Sequence, residues 1–396
     1  MATRVESTMA SNRSWLKPGR NQGGREAGTP SPSAVLGLDQ VQIDAGPCVA
    51  EACHAVDATR AKLRTPGRLK LGILAMDGAL LSSLSGPLDA LRIAQSLASL
   101  RDPRTPIRLE GVLVGARNQT SVETPGGLVL SGLQAVPDDL DILLVPGMMH
   151  GGTHGLRERM AGLGPEIELI RQLRLRGTHI AATCSGTLLL AASGLLDGHR
   201  ATTSWWLAAS FRKHFPHVRL QADSMLIEDA GLVTTGAATA VLGLVIHLIE
   251  AAGSAELAQH TARLMLIDSE RQSQAPYISA ALLEKPRSSL SERIDKYLQR
   301  ELHQELSVAG LAEHCGVSER SLLRHFRQHY GQSPLHHIQH LRVERAKALL
   351  ETTQLSFDEV VERCGYSDVS SFRKLFKRAT TLTPADYRER FRLRSA

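Results

Sequence analysis

The chain has 396 residues, 42% hydrophobic and 22% charged, with a formal net charge of +6 and only 4% aromatics. That length leaves room for two or three domains, whose cores must lean on Leu, Ala, Ile and Val. The five cysteines, at 48, 53, 184, 315 and 364, form no CxxC pair, which argues against a disulfide framework or a zinc site and for reduced thiols in a cytosol. No stretch approaches about 20 uninterrupted apolar residues, so none reads as a membrane span. The opening MATRVESTMASNRSWLKPGRNQGG lacks the apolar core of a signal peptide, and a cytoplasmic protein is expected.

Residues 1–66 are rich in Gly, Pro, Ser and Arg, with GTPSPS at 28–33 and RTPGR at 64–68. Such a segment cannot bury enough apolar surface to offset its ordering entropy and is expected to be disordered. From Leu69 the texture changes. LKLGILAM (69–76) reads as a buried strand, GPLDALRIAQSLASL (86–100) as a helix, and IRLEGVLVG (107–115) and DILLVPG (141–147) as further strands. GPEIELIRQLRLRG (164–177) is helical in spacing and closes on Gly. THIAATC (178–184) reads as a strand, SGTLLLAASGLL (185–196) as a helix, GLVTTG (231–236) as a strand and ATAVLGLVIHLIEAAG (238–253) as an apolar helix. The alternation predicts an α/β domain with a mostly parallel sheet over 67–268. Residues 269–289, with a Lys-Pro-Arg break, read as a linker, and everything from Leu290 onward is helical in pattern.

The final segment, 290–396, repeats itself. ELSVAGLAEHCGVSERSLLRHFR (305–327) and SFDEVVERCGYSDVSSFRKLFK (356–377) share E-x-C-G-[VY]-S at 313–318 and 362–367. Each copy reads as a helix, a tight Gly turn and a second helix starting near Ser318 or Ser367, both good N-caps. Leu311, Ala312, Val317, Leu322 and Phe326 form the inner face of the first unit; Val360, Val361, Tyr366, Phe372 and Phe376 form that of the second. The second helices carry Arg320, Arg324 and Arg327, then Arg373, Lys374, Lys377 and Arg378. Over 288–396 there are 18 Lys and Arg against 14 Asp and Glu. Basic side chains thus sit where a helix-turn-helix meets the major groove, arginine gripping guanine and lysine neutralising phosphate. The plainer alternative is a helical bundle with a solvated basic face. With the joining helix SPLHHIQHLRVERAKALLE (333–351) and the ending TPADYRERFR (383–392), the segment resembles the AraC/XylS family of transcription regulators. The resemblance implies contacts to double-stranded DNA from Arg320, Ser321, Leu323, Arg324 and Arg327, then from Ser370, Ser371, Arg373, Lys374 and Lys377. Leu323 is apolar where many relatives carry a polar reader, which suits a thymine methyl.

In AATCSG (181–186) a cysteine stands between small residues at a strand-to-helix turn, the shape of a nucleophile elbow. A helix N-terminus favours thiolate, so a lowered thiol pKa is expected for Cys184. With GPLDALRIA (86–94), DILLVPG (141–147) and GLLDGHRATTSWW (194–206), residues 69–268 resemble the DJ-1/PfpI branch of the class I glutamine amidotransferase-like fold. That resemblance implies a flavodoxin-like parallel sheet ahead of an all-α double helix-turn-helix domain. It also shows what is missing. Hydrolytic relatives place His after the two threonines and an acid before the Gly-Pro, and here Ser204 and Ser83 stand at those positions. His179 begins the strand at its far end, and His199 lies in a surface turn.

A catalytically silent pocket at the strand ends, where open α/β sheets bind ligands, is expected from Ser83, Gly147, Met148, Cys184, Ser185, Ser204 and Trp205. Trp205 and Trp206 either cage a quaternary or guanidinium cation or are ordinary packing. The expectation is a DNA-binding transcription regulator, an activator and not an enzyme, controlled by a small effector such as an amino acid or amine. No cofactor or metal is implied. The expected partners are DNA, a second copy of the chain and RNA polymerase, with no membrane. The alternatives are a cysteine-dependent hydrolase or glyoxalase-like enzyme fused to a DNA-binding tail, a redox sensor through Cys184, and a sheet domain that only dimerises.

Overall fold

The computed structural model describes residues 67–101, 107–149, 160–268, 271–279, 289–304 and 306–392. The extension expected to be disordered over 1–66 lies outside them, as does part of the linker expected at 269–289. The first body begins with β1 (Arg68–Leu74), α1 (Leu81–Arg101), β2 (Arg108–Val114), a hairpin of β3 (Ser121–Glu123) and β4 (Val129–Ser131), then β5 (Ile142–Val145). It continues through α2 (Gly164–Leu175), β6 (His179–Thr183), α3 (Gly186–Ala192), β7 (Arg200–Ala201), a 3-10 turn (Trp205–Leu207), α4 (Ala208–His214) and β8 (Arg219–Leu220). Then come β9 (Leu226–Asp229), β10 (Leu232–Thr235), α5 (Ala240–Ala252) and α6 (Ala255–Leu264).

Six strands form one sheet in the order β2-β1-β5-β6-β10-β9. Every pairing is parallel except β10 with β9, where Leu232 faces Asp229. The central strands are continuous apolar runs because helices cover both faces: Leu69, Leu71 and Ile73 of β1 and all of β5 and β6 are buried. Helices α1, α5 and α6 pack together, and α2 packs with α3.

Two details depart from the expected elements. Helix α1 starts at Leu81, so Pro87 lies inside it rather than at its first turn. Pro87 has no N–H to offer the carbonyl of Ser83. Helix α6 and edge strand β9 go beyond the runs of the sequence reading. α6 mixes polar and apolar residues and buries only Leu257, Ala258, Thr261 and Ala262, its start fixed by Ser254 accepting from the Leu257 amide at 3.1 Å.

The second body holds α7 (Ser289–Glu301), α8 (Val308–His314), α9 (Glu319–His325), a π-helical turn (Phe326–Tyr330), α10 (Pro334–Thr352), α11 (Phe357–Arg363), α12 (Val369–Thr380) and α13 (Pro384–Phe391). It has two small cores. Ile294, Leu298, Leu311, Leu322, Phe326 and Ile338 make one; Val343, Leu350, Val360, Phe372, Phe376 and Tyr387 make the other. Ser318 caps α9 as expected, accepting from the Ser321 amide. The second unit has one more residue in its turn, and the cap there is Asp368 rather than Ser367, accepting from the amides of Ser370 and Ser371 at 2.9 and 3.1 Å. The connector packs on this body through Tyr277 edge-on to Phe391 at 5.2 Å, Lys347 donating to the Ile278 carbonyl, and Arg390 paired with Asp268 at 3.1 Å.

Gly316 and Gly365 end α8 and α11 in the left-handed region, at φ +62° and +73°. They differ in surroundings. A Cβ on Gly316 meets nothing within 4 Å, whereas one on Gly365 would lie 2.7 Å from the Leu302 carbonyl oxygen and the His303 carbonyl carbon. Gly316→Ala should cost about 1 kcal/mol for its backbone alone, and Gly365→Ala clearly more because backbone must also move. Urea unfolding followed by helical circular dichroism checks the order; equal costs would contradict it.

Candidate DNA-binding surface and the Cys184 elbow

Helix α9 buries Leu322 and His325 and turns Arg320, Leu323 and Arg324 outward, with Ser321 half-buried. Arg327 is exposed in the π-helical turn that continues it. Helix α12 buries Phe372, Phe376 and Thr380 and exposes Ser370, Ser371, Arg373, Lys374, Lys377 and Arg378. Two of the expected contact hydroxyls also serve the caps: Ser318 Oγ donates to Ser321 Oγ at 3.0 Å, and Ser371 Oγ donates to Asp368 at 2.6 Å. The Arg373 guanidinium lies 4.6 Å from the Phe357 ring centroid, which aims it. Among the described residues, Arg320, Arg324, Arg327, Lys374 and Lys377 have no carboxylate oxygen within 4.0 Å. Two basic helices without direct counter-charges are what a phosphate backbone requires.

Some positioning residues had no local signal in the sequence. His325 Nε2 meets Ser291 Oγ of α7 at 2.9 Å, tying α9 inward. Arg342 donates to the carbonyls of Leu302 and Gln304 at 3.3 and 2.6 Å and lies over the Tyr366 ring at 5.3 Å. These contacts join segments 38 and 40 residues apart, beyond the reach of any spacing rule.

In the first body, β6 ends at Thr183 and α3 begins at Gly186, leaving Cys184 in the turn at φ +57°. A β-carbon residue in that region costs about 1–3 kcal/mol and persists only where its surroundings over-determine it. Here they do. The Cys184 amide donates to the carbonyls of Thr235 and Gly236 at 3.2 and 3.0 Å, and its own carbonyl accepts from Thr203 Oγ1 at 2.8 Å. A Cβ on Gly186 would lie 2.5 Å from the Pro146 oxygen, and one on Gly147 would lie 3.0 Å from Cys184 Cβ. Position 186 therefore requires glycine, and Gly147 leaves little room for a side chain.

The elbow brings together Gly147, Met148, Cys184, Ser185 and Ser204. Ser185 Oγ accepts from the Met148 amide at 2.8 Å and donates to its carbonyl at 3.0 Å, while Ser204 Oγ donates to Cys184 Sγ at 3.0 Å. Ser83 is fully buried in α1, and its hydroxyl has no partner among the described residues. Trp205 is buried, with its ring edge-on to Trp206 at 5.3 Å, and both border a space that faces the helical body.

The thiol does not behave as its helix N-terminus led us to expect. Burial pushes the Cys184 pKa up, and hydrogen bonds from Ser204 and Ser185 offset only part of that. The residue is 4% exposed, and loss of hydration disfavours the thiolate. His179 begins β6, about 16 Å of strand from the thiol, and His199 Nδ1 sits 3.8 Å from Asp229. Among the described residues no cluster of three or more His, Cys, Asp or Glu could hold a metal.

Sequence reasoning missed Gln274 of the connector. It is buried and donates toward the carbonyls of Thr203, Ala222 and Ser224 at 2.9–3.0 Å, while its oxygen accepts from the Ala237 amide at 3.1 Å. The segment that holds the thiol is thereby pinned to the connector. Because the thiol is protonated and enclosed, iodoacetamide at neutral pH should label Cys184 far more slowly in the native protein than in urea. Peptide mass spectrometry reads this, and equal labelling rates would contradict it.

Residues 107–251 match the DJ-1/PfpI family, and residues 311–390 match a helix-turn-helix domain. The HTH-type transcriptional regulator GbdR of Pseudomonas aeruginosa is 26% identical over 331 residues, covering 81% of this chain and 84% of its own. The HTH-type transcriptional regulator GlxA of Rhizobium meliloti is 29% identical over 234 residues, 56% of this chain and 68% of its own. The HTH-type transcriptional activator RhaR of Yersinia pseudotuberculosis is 35% identical over 94 residues, 24% of this chain and 32% of its own. No described helix is long and apolar enough to cross a membrane. The chain thus joins a DJ-1/PfpI-like domain to a DNA-binding helix-turn-helix domain of the AraC/XylS type.

Proposed function

We propose that this regulator binds specific operators as a homodimer in the cytoplasm and activates transcription through RNA polymerase when a small effector occupies its α/β domain. The observation that carries the DNA-binding half is the pair of basic helices, α9 and α12, whose arginines and lysines lack ion-pair partners within 4.0 Å among the described residues. Arg320, Arg324, Arg373 and Lys374 are the proposed base readers, and Arg327 and Lys377 the phosphate contacts. Ser321, Leu323, Ser370 and Ser371 complete the reading faces.

The effector half rests on chemistry that the elbow lacks. A cysteine nucleophile needs a base to take its proton, and the groups bonded to this thiol are hydroxyls and backbone. The domain is therefore read as a sensor rather than an enzyme. Its effector is an amino acid or amine in our reading. Gln274 offers the mechanical link, since it holds Thr203 beside the elbow and belongs to the connector that packs on the tail. A neutral, enclosed thiol also speaks against redox sensing.

Arg324→Ala and Lys374→Ala should each cost about 1–3 kcal/mol of affinity for a cognate operator if they read bases. Fluorescence anisotropy at fixed salt measures this on the full chain; wild-type affinity and sequence preference in both variants would contradict the assignment. Cys184→Ser should leave effector-dependent reporter transcription within a few-fold of wild type. Its loss, with the protein folded and still bound to DNA, would return the thiol to an active role.

A further inference from the structure

A cavity of about 700 Å³ lies between the α/β body and the first helix-turn-helix unit, large enough for a compact organic ligand. One wall comes from Trp205, Trp206, Arg212 and Asp223; the other comes from α7, the π-helical turn and α10, with Asp295, Gln299, Tyr330 and His340. Cys184 and Ser185 do not border it, although Ser204, which donates to the thiol, is the residue before Trp205.

The charges in this lining are unevenly satisfied. Asp295 accepts from the Tyr330 hydroxyl at 3.3 Å. Burial pushes the His340 pKa down, so its imidazole is neutral. Arg212 has no hydrogen bond or ion pair among the described residues. Arg212 is exposed, and the Asp223 carboxylate does not come within 4.0 Å of it. The Asp223 loop is itself fixed, its backbone carbonyl accepting from the Gln274 amide at 2.7 Å and from Ser273 Oγ at 3.0 Å. The guanidinium is charged, its donors are unclaimed among the described residues, and the same lining holds two indole rings set at 89°.

We infer that this cavity binds a flat organic carboxylate, its two oxygens on the Arg212 fork and its ring against Trp205 and Trp206. The ligand would also touch Tyr330, whose ring stacks on Phe326 at 4.8 Å in the turn that continues recognition helix α9. Occupancy would favour the arrangement of the two bodies in which both walls meet the ligand. The regulatory consequence rests on the regulator reading above; the binding itself does not.

The test uses the full chain and three probes of one shape, phenylacetate, phenylacetamide and 2-phenylethylamine, in calorimetric titrations. Phenylacetate should bind about tenfold or more tighter than the amide. Arg212→Gln should bring it to the level of the amide without changing amide binding. Gln299→Trp, which fills the cavity from the opposite wall, should weaken phenylacetate binding by a similar factor, with circular dichroism confirming that both variants fold. Equal binding of acid and amide, preference for the amine, no binding at millimolar concentration, or indifference to Arg212→Gln would each overturn the inference. Insensitivity to Gln299→Trp alone would overturn the two-walled site. Operator anisotropy on the same proteins separates the two readings: loss of DNA binding with the acid still bound would sink only the regulator.

Discussion

Helix α10 belongs to two cores at once, and the geometry of the DNA-binding body depends on that sharing. Its first half gives Ile338 to the core of the first unit, and its second half gives Val343, Ala346 and Leu350 to the core of the second. Neither helix-turn-helix can rotate about α10 without opening its own apolar contacts, each buried side chain contributing about 1.5–3 kcal/mol. Its 19 residues span about 28 Å, comparable with one turn of DNA at about 34 Å. The two basic helices are therefore held apart by a rigid rod and not by a linker. Arg342 reinforces the rod by tying its middle to the carbonyls that precede the first unit and to the Tyr366 ring of the second.

In the other body the shape of a nucleophile elbow surrounds a thiol that is buried and hydrogen-bonded. A strand-turn-helix elbow, a left-handed cysteine and two glycines that admit close approach are all present. The side chains around the thiol instead make it a packed, protonated group. Ser204 hydrogen-bonds the sulfur. With the thiol enclosed, desolvation outweighs the hydrogen bonds that would favour its ionised form. The strained turn is retained because the ends of β5, β6 and β10 converge there, each giving the elbow a backbone contact.

The fold was legible wherever a pattern was local and strong. The runs LKLGIL and DILLV announced buried strands because both faces of a parallel sheet are covered. The repeated E-x-C-G turn announced two helix-turn-helix units, since the glycine after each Cys must take a positive φ. Less legible were elements of few residues or mixed polarity, such as the β3–β4 hairpin, edge strand β9 and helix α6. The cap at Asp368 shows the limit of copying one repeat onto another, for a single inserted residue moved the helix start. At the candidate site, the elbow's backbone could be read from Ala-Thr-Cys-Ser-Gly. The direction of the thiol pKa could not, because it depends on burial by segments distant in sequence. Gln274 lies 71 residues from the Thr203 carbonyl it holds, and nothing about an isolated glutamine marks it.

The central claim is that one chain presents two recognition helices to one face of a duplex at a separation fixed by α10. Methylation protection of a cognate operator by the full chain tests this most directly, since a helix in the major groove shields guanine N7. The account predicts two clusters of protected guanines per half-site, about one helical turn apart on the same face. A single cluster per half-site, or two on opposite faces of the duplex, would contradict it.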